Sequence, residues 1–229
     1  MFKIGGFQKS TLIDYPGKIA AIVFTQGCNF RCGYCHNPEL LDLKSDSKLS
    51  VQYILDFLKT RKGKLDGVVI TGGEPTMQAG LYEFIKSVKS LGFLVKLDTN
   101  GSNPETIKKL VSDSLIDYIA MDIKAPLEKY KSIVGVGIDT DKIKQSIEII
   151  MNSGIEYEFR TTVVKSLLSF DDILKMGEMI KGADKYYLQK FIPSKIYDRE
   201  LLSEATYSND EFKALCTSLK TYVGCADYR

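Results

Sequence analysis

Short β-rich apolar runs alternate with stretches apolar on one helical face, and this rhythm constrains the fold more than any other feature. The first run, Ile19 to Thr25, is continuous and apolar enough for a strand buried on both faces. Ser50 then caps a predicted helix with Val51, Ile54, Leu55 and Leu58 on one face and Gly63 past its end. A strand at Val68 to Thr71 follows, then a helix with Leu81, Phe84, Ile85 and Val88 inward, closed by Gly92. Phe93 to Asp98 is the third strand. Asn103 and Pro104 start a helix facing inward through Ile107, Leu110 and Val111. Asp117 to Ile123 is the fourth strand. A helix around Ile143, Ile147, Ile150 and Met151 ends at Gly154, and Tyr157 to Val164 is the fifth strand. Ser169 caps a helix with Ile173, Met176 and Ile180, Tyr186 to Ile192 is the sixth strand, and Ser208 with Glu211 makes a capping box for the last helix.

Strands alternating with helices imply right-handed βαβ units and a parallel sheet, the α/β class. A closed eight-unit barrel takes about 250 residues, so about six units in 229 residues predict an incomplete TIM-type barrel. No linker or composition shift marks a second domain. The expectation is one domain over 1–229, with its core at about 15–195 and a helical tail at about 196–229.

In such folds chemistry gathers at the carboxyl ends of parallel strands. A cysteine loop follows the first strand, Gly72-Gly73-Glu74-Pro75 the second, Asp98-Thr99-Asn100-Gly101 the third and Asp122-Ile123-Lys124 the fourth. Charge excludes other classes: 31 Lys and Arg against 29 Asp and Glu leave +2, whereas a nucleic-acid footprint needs clustered basic surface. No apolar stretch approaches the roughly 20 residues of a membrane span, and the N-terminal residues lack a signal-peptide core. The expectation is a cytoplasmic protein that binds neither nucleic acid nor membrane.

Three of the five cysteines, Cys28, Cys32 and Cys35, fall within one loop. An odd count in a chain of this kind points to metal or redox chemistry rather than a disulfide framework. Three thiolates could hold zinc only with a fourth ligand. His36 is adjacent to Cys35, so the two side chains diverge, and Cys216 or Cys225 would have to fold back. An iron-sulfur cubane fits better, since three cysteines hold three irons and leave the fourth open.

Cys28-x-x-x-Cys32-x-x-Cys35 with Tyr34 before the third cysteine, taken with Gly72-Gly73-Glu74, Asp98-Thr99-Asn100-Gly101 and Asp122-Ile123-Lys124, resembles the radical S-adenosylmethionine (SAM) enzymes. The stretch Ser10 to Pro38, with Asp14-Tyr15-Pro16-Gly17 and Gln26-Gly27-Cys28, resembles their glycyl-radical-enzyme activating branch. It is most similar to the activators of anaerobic ribonucleoside-triphosphate reductase and more distantly to pyruvate formate-lyase activators. The resemblance covers about residues 4–195. It implies a 4Fe-4S cluster on Cys28, Cys32 and Cys35, with SAM chelating the open iron. One-electron reduction would then give a 5'-deoxyadenosyl radical.

The same resemblance places Tyr34 by the adenine, His36 beside the cluster and Gly72, Gly73 and Glu74 at the methionyl ammonium. Asp98 and Asn100 would stand at the ammonium or ribose, and Asp122, Ile123 and Lys124 along the cofactor, with Lys124 at its carboxylate or ribose. Asp98, Thr99 and Asp122 match the ligands of a monovalent cation in related activators, and Asp14 and Arg160 match positions near the substrate peptide. Read simply as residues, Tyr34 covers a loop, His36 bonds backbone, Asn100-Gly101 is a turn, Asp122 with Lys124 is a surface pair and Arg160 needs an ion-pair partner. Cys216 and Cys225 are expected to be buried small hydrophobes.

Ser45 to Leu65 contains no cysteine, which implies a single cluster. Lys195 stands where pyruvate formate-lyase activators carry a cofactor-binding histidine, which weighs against that partner. The expected function is hydrogen abstraction from a glycine of a glycyl radical enzyme of the anaerobic ribonucleotide reductase or formate-lyase type. The electron would come from a low-potential donor, flavodoxin or ferredoxin. The alternatives are a radical SAM enzyme with a peptide or small-molecule substrate, and a non-catalytic metal or electron-transfer module.

Overall fold

A computed structural model of the chain describes residues 2–44 and 49–229; the start of the cysteine-free segment at Ser45 lies outside them. The chain divides into two compact units. One comprises Met1–Asn29, Glu39–Thr99 and Asn103–Ile119, the other Phe30–Pro38, Asn100–Ser102 and Ala120–Arg229.

In the first unit β1 (Ile4–Thr11), β2 (Ala20–Thr25), β3 (Gly67–Gly72) and β4 (Leu94–Thr99) lie side by side in that order. β2, β3 and β4 are parallel, with Ala20 opposite Gly67, Thr25 opposite Gly72 and Ile70 opposite Leu97. That register brings their carboxyl ends to one edge. The helices are α1 (Val51–Lys59), α2 (Leu81–Ser90) and α3 (Pro104–Ser112). Ser50 Oγ accepts the Tyr53 N–H at 3.1 Å and Asn103 Oδ1 accepts that of Thr106 at 3.3 Å, each satisfying a donor that the first helical turn leaves unpaired. Ile54 and Leu58, Leu81, Phe84, Ile85 and Val88, and Ile107 and Leu110 are buried as the helical spacing predicts. Val111 is only half-buried.

β1 is an addition to the expected six strands. It runs antiparallel to β2 with Gln8 opposite Ile22 and Thr11 opposite Ala20, and irregularities interrupt its register. Only its two end residues, Ile4 and Thr11, are buried, so this edge strand carries no apolar run.

β5 (Tyr118–Asp122) begins in the first unit and ends in the second. The second unit continues with α4 (Tyr130–Val134), α5 (Thr140–Met151), β6 (Glu156–Val163), α6 (Phe170–Met179), β7 (Lys185–Lys190), α7 (Asn209–Leu219) and β8 (Cys225–Tyr228). β6, β7 and β8 are parallel, with Phe159 opposite Tyr186 and Tyr186 opposite Ala226. Capping boxes start α6, from Ser169 and Asp172, and α7, from Ser208 and Glu211. The tail expected to be helical closes on β8, which puts Cys225 on the surface while Cys216 is buried in α7. The expectation of two buried thiols therefore holds for Cys216 and fails for Cys225, because β8 alternates and buries Ala226 while Cys225 and Asp227 are exposed. Among the described residues no helix is long and apolar enough to cross a membrane.

Candidate functional site

In the first unit, the loop leaving β2 is pinned before its first cysteine. Gly27 N–H donates to Leu40 O at 2.7 Å and Cys28 N–H to Leu41 O at 3.0 Å. Gln26, nearly fully buried, donates through Nε2 to Glu39 O at 2.9 Å and Asp42 O at 2.6 Å, and Gln78 Nε2 donates to Gln26 O at 2.6 Å. The clamp made by these glutamines is invisible to a motif search, because Gln78 lies 52 residues from its acceptor.

The loop after β3 is bonded to the same backbone. Gly73 N–H donates to Thr25 O at 2.9 Å and Glu74 N–H to Gly27 O at 2.8 Å. A Cβ on Gly72 would stand 2.4 Å from Thr25 N, at a φ of +105°, and one on Gly73 would stand 2.2 Å from Gly27 O. The close approach these glycines permit in the chain itself is to neighbouring backbone. Glu74 is buried, and its Oε1 accepts from Thr76 N at 3.1 Å, Thr76 Oγ1 at 2.6 Å and Thr99 Oγ1 at 2.8 Å. The carboxylate thus joins the ends of β3 and β4. Asp98, next to last in β4, is paired with Lys96 Nζ at 2.5 Å, and the Lys96 side chain is only 2% exposed. Asp14, expected near a substrate, follows β1 and bonds Thr11 Oγ1. It lies at the amino end of β2, while Glu74 and Thr99 lie at the carboxyl ends of their strands.

The second unit holds the other half of the cysteine loop. Cys35 N–H donates to Cys32 O at 3.0 Å, Arg31 N–H to Val134 O at 2.8 Å, Asp198 N–H to Gly33 O at 2.9 Å and Tyr197 N–H to Cys35 O at 3.1 Å. His36 Nε2 lies 3.0 Å from Ile192 O, with the Phe191 ring 5.8 Å away, so its bond is to backbone and its ring is exposed. Burial raises the Cys32 thiol above its ordinary range, with Lys124 pulling the other way. Asn100 Oδ1 accepts the Ser102 N–H at 2.9 Å, a side-chain turn, and Gly101 O accepts Ser146 Oγ at 2.7 Å.

At the end of β5, Asp122 Oδ1 accepts from Arg160 Nε at 3.0 Å and Asp122 Oδ2 from Lys124 Nζ at 3.0 Å. All three side chains are less than a third exposed, so the pair predicted from the two-residue strand spacing is an inward triad with Arg160 rather than a surface pair. Burial alone would raise the Asp122 carboxyl; Arg160 and then Lys124 outweigh it and hold it down at about 2. Burial works against the Lys124 charge and Asp122 outweighs it. The backbone beneath is fixed from several sides: Ile123 N–H donates to Arg160 O at 2.8 Å, Lys124 N–H to Tyr130 Oη at 3.3 Å and Thr161 Oγ1 to Ile123 O at 2.7 Å, with Tyr186 Oη 2.7 Å from Thr161 Oγ1.

Lys124 Nζ lies 5.8 Å from the centre of the Tyr34 ring. Tyr34 is 3% exposed, and among the described residues its hydroxyl is the one buried side-chain polar atom without a hydrogen-bond partner.

Asp98, Thr99 and Asp122, expected as cation ligands, are each engaged with Lys96, Glu74, and Arg160 with Lys124, respectively. Among the described residues no three His, Cys, Asp or Glu side chains are grouped to hold one metal ion, so the single-ion site that a zinc reading needs is not formed there. A cubane makes a different demand, since each thiolate binds its own iron. Three cysteines in one loop, at this spacing, fit such a cluster.

Comparison with known proteins agrees. The Radical SAM superfamily model matches residues 22–180. A provisionally named glycyl-radical enzyme activating enzyme of Methanocaldococcus jannaschii is 35% identical over 228 residues, covering 96% of this chain and 92% of that protein. The pyruvate formate-lyase-activating enzyme of Clostridium pasteurianum is 30% identical over 189 residues, covering 80% and 77%. Among solved structures, a domain of a pyruvate-formate lyase-activating enzyme from Bacteroides vulgatus superposes with a TM-score of 0.58 at 16% identity, covering 71% of this chain and 98% of that one. Streptococcus suis SuiB bound to precursor peptide SuiA superposes with a TM-score of 0.67 at 15% identity, covering 91% of this chain. The chain spans about half of SuiB, 48% of its length. At these identities the structural likeness shows the fold, the α/β partial barrel with a mainly parallel sheet.

Proposed function

The chain belongs to the radical SAM superfamily, and from that premise we propose that it activates a glycyl radical enzyme, generating a radical on a backbone glycine of the partner. The observation that carries this reading is the match along nearly the whole length of a relative named for that activity. A 4Fe-4S cluster and SAM come with the family. When bound and reduced by one electron, they supply methionine and a 5'-deoxyadenosyl radical able to take a hydrogen atom from glycine.

We assign Cys28, Cys32 and Cys35 as the cluster ligands, from their spacing in one loop. From the motifs, we assign Gly72, Gly73, Glu74, Asp98 and Asn100 to the methionyl and ribose groups, and Tyr34, His36, Ile123 and Lys124 as further cofactor-binding residues. Lys124 offers its charge to the methionyl carboxylate, and the Asp122–Arg160 pair orients it. Asp14 and Arg160 are assigned to the partner's peptide. The finer reading names anaerobic ribonucleoside-triphosphate reductase as the partner, flavodoxin or ferredoxin as the electron donor and the cytoplasm as the location. Lys195 in place of a histidine favours that partner over pyruvate formate-lyase.

The test is anaerobic reconstitution with iron and sulfide, reduction in the presence of SAM, and quantitation of 5'-deoxyadenosine. Mixing with each candidate partner should then give a glycyl-radical doublet by electron paramagnetic resonance with the reductase. A doublet only with the formate-lyase polypeptide would reassign the partner. No 5'-deoxyadenosine from a cluster-loaded protein would overturn the proposal.

A further inference from the structure

We propose that the amino edge of the first unit is a docking surface for an acidic face of the partner glycyl radical enzyme, separate from the place where the glycine reacts. This deepens the function proposed above and rests on it. Two loops meet at that edge. The loop from β1 to β2 leaves Thr11, opposite Ala20, and the loop from α1 to β3 enters Gly67, also opposite Ala20. Ile19 N–H donates to Asp66 Oδ2 and Asp66 N–H to Ile19 O, each at 2.8 Å, which stitches the two loops together. Within the first loop Thr11 Oγ1 bonds Asp14, and Lys18 N–H donates to Tyr15 O at 3.1 Å. The loop so fixed holds Leu12 at 74% exposure, Ile13 at 86% and Ile19 at 43%.

Cations rim these aliphatic chains. Lys9 Nζ and Arg61 Cζ lie 5.9 and 4.9 Å from the centre of the Phe57 ring. Lys64 N–H donates to Arg61 O at 2.9 Å, which holds Arg61, Lys62 and Lys64 in one turn. Over residues 9–19 and 56–66 six cations stand against three acids. Asp56 is taken by Lys59 at 2.8 Å, Asp14 by Thr11 and Asp66 by the Ile19 backbone. Among the described residues Lys9, Lys18, Arg61, Lys62 and Lys64 have no carboxylate partner. Such an excess, in a chain whose net charge is only +2, steers an acidic surface towards this edge. Apolar chains inside a charged rim are the anatomy of a protein interface, whereas a phosphate backbone offers nothing to bury them in. The six residues of β2 set this edge about 20 Å from the carboxyl end that leads to Cys28. A group docked here does not touch the reacting atoms, so the occupant is a macromolecule large enough to reach both edges. The partner enzyme is one, and contact here serves its affinity rather than the chemistry.

The experiment compares two paired variants with the native chain, all cluster-loaded: Leu12→Ser with Ile13→Ser, and Lys62→Glu with Lys64→Glu. The probe is whichever candidate polypeptide gains the glycyl radical in the test above. Its apparent KM should rise about tenfold or more with each variant while kcat is unchanged. Added salt should raise the native KM more steeply than that of the charge-reversed variant. A short synthetic peptide around the partner's glycine cannot span both edges and should react with equal KM in all three proteins. 5'-Deoxyadenosine formed without a partner should be equal too, which also shows that the variants fold. A KM for the full partner within about twofold of native, or an equal loss with the short peptide, overturns the docking surface. So does tight binding of a single-stranded oligonucleotide that the charge reversal abolishes while the partner's KM stays unchanged, which makes the edge a nucleic-acid site. If the native chain forms 5'-deoxyadenosine but neither polypeptide gains a radical, the function proposed above fails first and takes this surface with it.

Discussion

Lys96 is a lysine inside a strand with 2% of its side chain exposed, and it offers the sharpest test of how the first unit is held. Its ammonium lies 2.5 Å from Asp98 Oδ1 and 5.8 Å from the centre of the Tyr118 ring, and Asp98 is 14% exposed. Removing one member of such a pair typically costs about 3–5 kcal/mol, whereas removing both is often close to neutral. The residual exposure of Asp98 sets the expected loss for Lys96→Met at the low end, about 3 kcal/mol. Lys96→Met with Asp98→Asn should recover to within about 1 kcal/mol of the native chain, a coupling of about 2 kcal/mol or more. The chain has no tryptophan, so urea unfolding of the cluster-free protein is best followed by far-ultraviolet circular dichroism. With a slope near 3 kcal/mol/M, the single variant should unfold at a midpoint about 1 M lower. A loss below about 1 kcal/mol for Lys96→Met, or a double variant whose loss equals the sum of the single losses, would refute the reasoning.

Other perturbations probe separate features. Because the Asp122 carboxyl is held at about 2 against an ordinary 3.8, its ionised form stabilises the native state above pH ~4, by about 2 kcal/mol, and this is lost as pH falls towards about 2. Asp122→Asn should therefore destabilise at pH 7 and by only about half as much at pH 3, in paired urea titrations. Gly72→Ala introduces a Cβ 2.4 Å from Thr25 N at a φ of +105° and should cost more than about 2 kcal/mol in the same assay. Ser169→Ala removes a capping box and should cost about 1 kcal/mol. Burial pushes the Cys216 thiol up to about 11 while Cys225 is exposed, so in the cluster-loaded protein at pH 8, mass spectrometry should find Cys225 alkylated well before Cys216.

The helices expected from the sequence are legible because their information is local; α4 (Tyr130–Val134), five residues long, is not among them. Ser50, Asn103, Ser169 and Ser208 each accept from the backbone N–H three residues on in their own helix, and the buried faces repeat at helical spacing. β1 and β8 are not legible, since neither carries an apolar run: β1 buries only its ends and β8 only Ala226. Both are held by pairing with a neighbour rather than by their own pattern.

The same division runs through the candidate site. Asp122 and Lys124 can be placed on one face from a two-residue spacing, but Arg160 comes from 38 residues further on, and without it the pair reads as surface chemistry. Glu74 and Thr99 meet across 25 residues, so a motif that suggests an open acceptor hides a carboxylate already joining two strand ends. Lys96 is concealed differently, inside an apolar strand where one lysine looks incidental and only packing shows it to be buried. Tyr34 is the converse case: its aromatic character can be read from the motif, while the burial of its hydroxyl shows only in the fold. Motifs therefore name the candidate residues, and tertiary contacts decide which of their atoms are already engaged. In the second unit the Asp122, Lys124 and Arg160 triad shows the same rule, since the spacing supplies two of its members and the fold supplies the third.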